Sequence, residues 1–264
     1  MDLGIRGKTA LVAAASDGLG KAVALRLAAE GANIVICARD QKRIESAIHQ
    51  IESANPDVRV TGFPTDLASA GEIDRLGGRL ENSQLGIDIL VNNAGGPPPG
   101  YFDEIEDRQW QEAFELTMMS AVRLTRLVLA HMRARKWGRI INITSYSVKQ
   151  PMPQMVLSNS IRMSVVGWAK TLSNEVASQG ITVNNVCPGW TRTGRVEQLL
   201  KARAQATGVK PEALEQSLIA SIPCQRIGEV NEFADVVAFL ASANASYVTG
   251  TTLPVDGGAV SAAM

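Results

Sequence analysis

The chain has 264 residues, with 26 basic and 26 acidic side chains and a formal net charge of zero. This balance gives no support for a nucleic acid or an anionic membrane as partner. The N-terminal "MDLGIRGK" lacks an apolar signal core, and no apolar run approaches membrane-spanning length. The three cysteines (Cys37, Cys187 and Cys224) form no CxxC motif, so we expect reduced thiols in a cytoplasmic protein.

Apolar strand-like segments alternate with helical patterns along the whole sequence. The first half gives, in order, strand "KTALVAA", helix "LGKAVALRLAAEGA", strand "NIVICA", helix "QKRIESAIHQIESA", strand "VRVTGFPTD" and strand "IDILVNNAG". The second half gives a long helix over about 107–136, strand "GRIINITS", a helix over about 154–179, strand "ITVNNVCPG" and strand "TTLPVDGG". Such continuous apolar strands separated by helices are typical of a parallel sheet covered on both faces. We therefore predict one α/β domain over 1–264, a three-layer doubly wound parallel sheet of about seven strands, with ligands at the carboxyl ends of the strands.

One segment departs from this alternation. Residues 190–226 are polar and helical in pattern, and they stand between the sixth strand and the last helix. An insertion there would cover the ligand crevice, so we predict a substrate lid. The alternative is a packed surface excursion without ligand contact.

A glycine-bearing turn, "AAASDGLG" from Ala13 to Gly20, lies between the first strand and the first helix. Glycines at this place let backbone N–H groups approach a pyrophosphate at the helix N-terminus. The pattern alone is weak, but its position between strand and helix favours a dinucleotide site.

Six motifs stand in one order: "TALVAAASDGLG", "TDL" with Asp66, "NNAG" at 92–95, "GRIINITS" ending in Ser145, "PGWTRT" at 188–193 and "YVTGTTLPVDGG". On these motifs the sequence resembles the short-chain dehydrogenase/reductase family, and within it the 3-oxoacyl-ACP-reductase-like branch, over nearly its whole length. The resemblance implies a Rossmann fold and a nicotinamide dinucleotide as cofactor.

The resemblance also implies which residues bind the cofactor. They are Ala14, Ser16, Asp17, Gly18, Leu19 and Gly20 in the first loop, Asp66 and Leu67 around the adenine, Asn92, Asn93, Ala94 and Gly95 on the ribose side, and Pro188, Gly189 and Thr191 at the nicotinamide end. The family has glycine where this chain has Ala14; we expect a negative φ there, so that the alanine is harmless.

The second strand ends in Ala38 and Arg39, where an acidic residue would hold a ribose 2′-hydroxyl. Arg39 can instead pair with a 2′-phosphate, so NADP(H) is favoured over NAD(H). Asp17 is an argument against this preference, because NADP-preferring family members often carry a basic residue at that position.

In the family, a serine polarises the substrate carbonyl, a tyrosine 13 residues later exchanges the proton, and a lysine four beyond lowers the tyrosine's pKa. Ser145 fits the first role, but the other two positions hold Ser158 and Arg162. The family's asparagine, which holds a water, corresponds to Thr117. Ser158 is a far weaker acid than a phenol, and Arg162 is a fixed cation that cannot relay protons but can grip a carboxylate.

Three hypotheses follow. In the first, the protein is still an NADP-dependent oxidoreductase, and the proton comes from Tyr146 with Lys149 three residues on, from Tyr101, or from water or substrate. In the second, the fold carries non-redox isomerase or lyase chemistry, with Arg162 binding an acidic substrate. In the third, it is a nucleotide-binding protein without turnover. We predict no metal site, a small-molecule substrate, and a homo-oligomer, usually a tetramer in this family.

Overall fold

The computed structural model of the protein describes residues 2–262, apart from the side chains of residues 202 and 206. Its strands are β1 (Thr9–Ala13), β2 (Asn33–Ala38), β3 (Val60–Pro64), β4 (Ile89–Asn92), β5 (Gly138–Ile143), β6 (Ile181–Pro188) and β7 (Thr252–Val255). Its α-helices are α1 (Gly18–Ala29), α2 (Gln41–Ala54), α3 (Ala70–Asn82), α4 (Asp107–Phe114), α5 (Ser120–Arg135), α6 (Val156–Val176), α7 (Gly194–Thr207), α8 (Pro211–Ala220) and α9 (Val230–Ala241).

The seven strands form one parallel sheet in the order β3-β2-β1-β4-β5-β6-β7. The predicted doubly wound sheet is therefore confirmed. The chain winds outward from β1 in one direction through β3, and in the other from β4 to β7. A crevice opens where the winding reverses, outside the carboxyl ends of β1 and β4.

Two apolar layers hold the sheet between helices. On one face α1, α2 and α9 bury Leu27, Ile44 and Phe233 against the sheet. On the other face α3, α5 and α6 bury side chains that include Leu76 and Leu124. The strands have few polar positions because both of their faces are covered.

Polar residues do occur at one level of the sheet, near the crevice. Asn92, Asn142, Asn185 and Thr252 are register partners on four neighbouring strands. Their side chains form a ladder in which Asn92 donates to Asn142 at 2.8 Å, Asn142 to Asn185 at 3.0 Å and Asn185 to Thr252 at 3.1 Å. This chain of bonds fixes the strand ends that carry the site.

The long helix predicted over 107–136 is interrupted. A π-helical turn, Glu115–Met119, separates α4 from α5. The segment predicted as a lid contains α7 and α8; within it Arg192 forms an ion pair with Glu215 at 3.3 Å, and a second pair with Glu229, also at 3.3 Å, connects it to the residue before α9. No helix among residues 2–262 combines the length and apolar character needed to cross a membrane.

Candidate active site

The turn between β1 and α1 is held by a side chain from the neighbouring strand's end. The Asn93 amide donates to the carbonyl oxygens of Ala13 and Ala14, at 3.2 and 3.3 Å. A Cβ on Gly20 would stand 2.6 Å from the Ala14 oxygen and 2.8 Å from the Asn93 nitrogen. Only glycine fits where α1 passes this close to the loop. The helix therefore begins directly against the loop, with its N–H groups facing the crevice.

The expectation of a negative φ at Ala14 is wrong. Ala14 has φ +48°, in the left-handed region that costs a non-glycine residue about 1–2 kcal/mol. The bond from Asn93 to its carbonyl and the close passage of Gly20 fix this conformation. The loop therefore keeps the path that glycine would take, and the alanine stores strain beside the binding crevice.

Charges of both signs lie along the dinucleotide half of the crevice. Asp17 caps α1 by accepting from the Gly18 N–H at 2.8 Å, and its exposed carboxylate is 3.9 Å from the Lys21 ammonium. Beyond β2, an open pocket is lined by Arg39, Pro64, Thr65, Asp66, Glu72, Arg75 and Arg79. Three guanidinium groups and two carboxylates thus line this pocket beside the end of β2.

Ser145 stands directly after β5 and caps the short 3₁₀ turn Tyr146–Val148. Its Oγ accepts a hydrogen bond from the Ser147 N–H at 3.1 Å. Because this bond occupies a lone pair, the Ser145 proton remains available for donation to a carbonyl oxygen.

The two candidate phenols have different surroundings. Tyr146 is half-buried, and burial raises the pKa of its phenol above the ordinary value of 10; a hydrogen bond from the Trp190 side chain lowers it in part, and Asp256 raises it further. The groups that shift the pKa of Tyr146 do not include Lys149. Tyr101 is 56% exposed, and its hydroxyl accepts from the Gln154 amide at 2.9 Å.

Ser158 and Arg162 are both buried on the first turns of α6. Arg162 donates through Nη1 to the carbonyl oxygens of Ile143 and Thr144, at 3.1 and 2.9 Å. Burial lowers the pKa of this guanidinium to about 10, so it stays charged at neutral pH. Within the described part of the chain it has no carboxylate partner.

A small pocket brings Thr117 and Arg162 together with the residues that follow β4. Its lining consists of Asn92, Asn93, Ala94, Thr117, Ser120, Ala121, Leu124, Asn142, Ile143, Thr144, Arg162 and Val165. Ser145, Tyr146 and Ser158 are not part of this lining. Thr117 lies in the π-helical turn, and its buried Oγ1 has no hydrogen-bond partner among the described residues; the same holds for Asn92 Oδ1.

Sequence reasoning missed two parts of this site. Asn142 and Asn185 could have been found, because each strand from β4 to β6 carries an asparagine near its carboxyl end. Arg195 had no signal in the sequence. It lies in the first turn of α7, within the predicted lid, and its Nη2 donates to the Pro97 carbonyl at 3.2 Å on the other side of the crevice.

The residues present fit a dinucleotide. Because Gly20 has no side chain, the N-terminus of α1 stays open to a diphosphate. Thr193, the N-cap residue of α7, lies beside it: its Cγ2 is 3.8 Å from the position that a Cβ would take on Gly18. The Asn92 Oδ1 and Thr117 Oγ1 atoms, which have no hydrogen-bond partner among the described residues, could bond to a ligand or to water.

Comparison with known proteins agrees with this geometry. Residues 13–260 match the family model described as enoyl-(acyl carrier protein) reductase. The chain is 33% identical to the 3-oxoacyl-[acyl-carrier-protein] reductase FabG of Haemophilus influenzae over 254 residues, 96% of this chain and 98% of the relative. It is 32% identical to the dehydrogenase/reductase SDR family member 4 of Oryctolagus cuniculus over 258 residues, 97% of this chain and 95% of the relative.

Among solved structures, the L-sorbose reductase of Gluconobacter frateurii, complexed with NADPH and L-sorbose, superposes with a TM-score of 0.94 at 34% identity, covering 99% of this chain and 100% of the other. The similarity thus extends over the whole sheet and its helices, and the resemblance found in the sequence motifs is confirmed at the level of the family. The chain belongs to the short-chain dehydrogenase/reductase family of NAD(P)-dependent oxidoreductases.

Proposed function

We propose that the protein reduces a carbonyl group of a small molecule with NADP(H), using an atypical proton donor. The observation that carries this proposal is the Ser145 hydroxyl, which stands at the carboxyl end of β5 with its proton free. When bound, the cofactor supplies the hydride. Ser145 orients the carbonyl and stabilises negative charge on its oxygen by hydrogen bonding.

The cofactor would be held by the open end of α1 with Ala14, Ser16, Gly18, Leu19 and Gly20, by Asp66 and Leu67 at the adenine, and by Asn93, Ala94, Gly95, Pro188, Gly189 and Thr191 further along. Arg39 supports a 2′-phosphate and hence NADP(H), whereas in the same pocket Arg75 is paired with Glu72 at 3.5 Å and Arg79 donates to the Pro64 carbonyl at 3.4 Å. Asp17 opposes it with one negative charge, which Lys21 partly offsets. A related reductase bound to NADPH points the same way.

The proton donor is proposed to be Tyr146. Neither Ser158 nor Arg162 can serve, because an aliphatic hydroxyl and a guanidinium hold their protons too tightly. The Tyr146 phenol keeps its proton throughout the neutral pH range, because burial raises its pKa. It follows Ser145 directly in the chain, just beyond the carboxyl end of β5.

The test is Ser145→Ala, assayed for NADPH oxidation against a panel of ketones and aldehydes. Loss of a preorganised donor costs about 10²–10³ in rate, so kcat/KM should fall by that factor while cofactor affinity is unchanged. Ser147→Ala is the matched control, because its buried hydroxyl lies two residues away and has no hydrogen-bond partner within residues 2–262. An unchanged kcat/KM in Ser145→Ala would remove Ser145 from the reaction. Substrate consumption without NADPH oxidation would favour isomerase or lyase chemistry instead.

Three further statements stay proposals: the segment 190–226 acts as a substrate lid, the protein lies in the cytoplasm, and it forms a homo-oligomer. The last is supported by exposed apolar side chains on the helices, Phe114 on α4 and Met163 on α6. Light scattering of the purified protein measures the assembly directly.

A further inference from the structure

Two guanidinium groups converge beside Gly96, in the loop that follows β4. The position a Cβ would take on Gly96 is 3.8 Å from Arg162 Nη2 and 3.8 Å from Arg195 Nη2. The Nη2 atoms of Arg162 and Arg195 are therefore separated by at most twice 3.8 Å. Arg162 reaches this point from α6 beneath the crevice, and Arg195 reaches it from the first turn of α7 above.

Neither cation has an acidic partner among the described residues. Arg162 spends Nη1 on two backbone carbonyls, and Arg195 Nη2 donates to the Pro97 carbonyl. The two charges repel, since Arg195 contributes to lowering the pKa of Arg162. Arg162 is 92% buried, with a relative exposure of 8%. A buried cation normally has a counter-charge, and the described residues of this site supply none.

A comparison within the chain separates this arrangement from a structural arginine. Arg139 is also buried, and burial likewise lowers its pKa to about 10. Its Nε and Nη1 donate to the carbonyls of Ser242, Gly138 and Gly180, and its guanidinium lies over the Trp137 ring at 4.5 Å. Arg139 thus has hydrogen bonds on Nε and Nη1 and an aromatic ring beside it, at the end of the sheet away from the crevice, and among the described residues only its Nη2 is without a bond. Arg162 leaves Nε and Nη2 without a bond to any described residue.

We infer that Arg162 and Arg195 form a carboxylate clamp, so that the substrate is an oxo acid or the corresponding hydroxy acid. One carboxylate can accept from both Nη2 atoms with charge-assisted hydrogen bonds of about 2.8 Å. Two charged donors converging from opposite sides discriminate strongly against an uncharged analogue, because that analogue leaves both cations unpaired. This inference deepens the proposed function and rests on it for the reaction, but not for the binding of the acid.

Arg162 is attached to the protein away from the diphosphate site. It bonds to the end of β5, which is two strands away from β1 and the α1 N-terminus, or about 10 Å at the usual strand spacing. Arg195 lies closer to that site, because Thr193, two residues before it, stands beside the α1 N-terminus. The carboxylate is therefore placed on the Arg162 side. It lies on the same side as Ser145, which also follows β5.

The test is calorimetric binding of hexanoate and of hexanamide, its neutral match, to the protein alone and to the protein saturated with NADPH. We expect hexanoate to bind at least tenfold more tightly than hexanamide. Arg195→Gln should erase this preference, with a loss of about tenfold to a hundredfold in hexanoate affinity. Arg203→Gln, which removes the same charge from an exposed position of α7, should leave it intact.

Arg195→Gln is the primary variant because it lies on the surface of α7, whereas Arg162→Gln removes a buried group and is compared only after its melting temperature is measured. Equal binding of acid and amide, including no binding of either, would overturn the inference. So would an Arg195→Gln protein that keeps the preference but binds NADPH tenfold more weakly, since the guanidinium would then hold the cofactor. Reduction of neutral ketones by a wild-type protein without acid preference would leave the proposed function standing alone.

Discussion

The hydroxyls of Ser145 and Tyr146 are adjacent in the chain and differ in their surroundings. The Ser145 Oγ accepts a hydrogen bond from the Ser147 N–H and keeps its proton for donation, whereas burial raises the pKa of the Tyr146 phenol, so that it keeps its proton at neutral pH. In the proposed mechanism, two adjacent donors after β5 take the place of the family's serine after β5 and tyrosine on α6.

Removing the Tyr146 hydroxyl tests this arrangement. Tyr146→Phe should lower kcat by about 10²–10⁴, the usual contribution of a positioned general acid. In the wild type the donor form exists below the phenol's raised pKa and is lost as pH rises through it, so kcat should stay level across neutral pH and fall only above pH 10. The alkaline fall should be absent in Tyr146→Phe.

The control for that measurement is Tyr247→Phe, a fully exposed phenol with no role in the crevice. If Tyr146→Phe keeps the wild-type kcat and its alkaline limb, the proton comes from water or from the substrate, and Tyr146 is a packing residue.

Single residues also show where sequence reasoning stops. The spacing of residues 145, 158 and 162 predicts one site; in the structure Ser145 follows β5 and Arg162 bonds to the carbonyls of Ile143 and Thr144 at the same strand end, while Ser158 does not line the pocket with Arg162. The φ of Ala14 was predicted with the wrong sign, because intrinsic preference argues for a negative angle while Asn93 and Gly20, one of them 79 residues away, impose a positive one. Arg195 was missed because its partner across the crevice, Pro97, is 98 residues away and α7 has no motif of its own.

At the level of elements, the sheet was the predictable part. Buried strands on both sides of the switch point are continuous apolar runs, and each run in the sequence is a strand in the structure. The π-helical turn was not predictable, since one additional residue per turn leaves the apolar pattern of "FELTMMS" readable as an ordinary helix. This turn decides the site, because it places Thr117 in the pocket with Arg162.

The π-helical turn supports a prediction in which stability and activity move in opposite directions. Thr117→Val keeps the shape of the side chain and removes a buried hydroxyl that has no partner among the described residues. Relief of an unsatisfied polar group should raise the free energy of unfolding of the cofactor-free protein by about 1 kcal/mol. If this hydroxyl holds a ligand or water in the site, kcat/KM should fall at least tenfold. Urea unfolding and steady-state kinetics measure the two effects.

Thr125→Val, one turn into α5, is the matched control because the Thr125 Oγ1 accepts from the Asn92 amide at 3.4 Å. Its loss should lower stability. A destabilised Thr117→Val protein with normal kinetics would show that the Thr117 hydroxyl serves only the fold.

At the level of the whole molecule, the crevice lies where the two halves of the sheet diverge, so a ligand bound along it contacts loops from both halves. The phosphate loop and the Arg39 pocket belong to the β1–β3 half, whereas Ser145, Arg162 and the lid helices belong to the β4–β7 half. A dinucleotide along the crevice would join the two halves. Its binding should therefore appear as global stability rather than as local ordering alone.

Thermal unfolding with each cofactor makes this measurable and tests the choice of nucleotide. A ligand at a hundredfold its Kd adds about 2.7 kcal/mol, which for a chain of this size raises Tm by about 5–10 °C. NADPH should reach this shift at a lower concentration than NADH. Arg39→Ala should weaken NADPH about tenfold, removing about 1.4 kcal/mol of its stabilisation at a fixed concentration, and leave the NADH shift unchanged, because NADH has no 2′-phosphate for the guanidinium to hold. Arg43→Ala, an exposed arginine on α2, serves as control. Equal shifts by NADH and NADPH in the wild type would mean that Arg39 is a solvated surface charge and that Asp17 governs the phosphate end of the crevice.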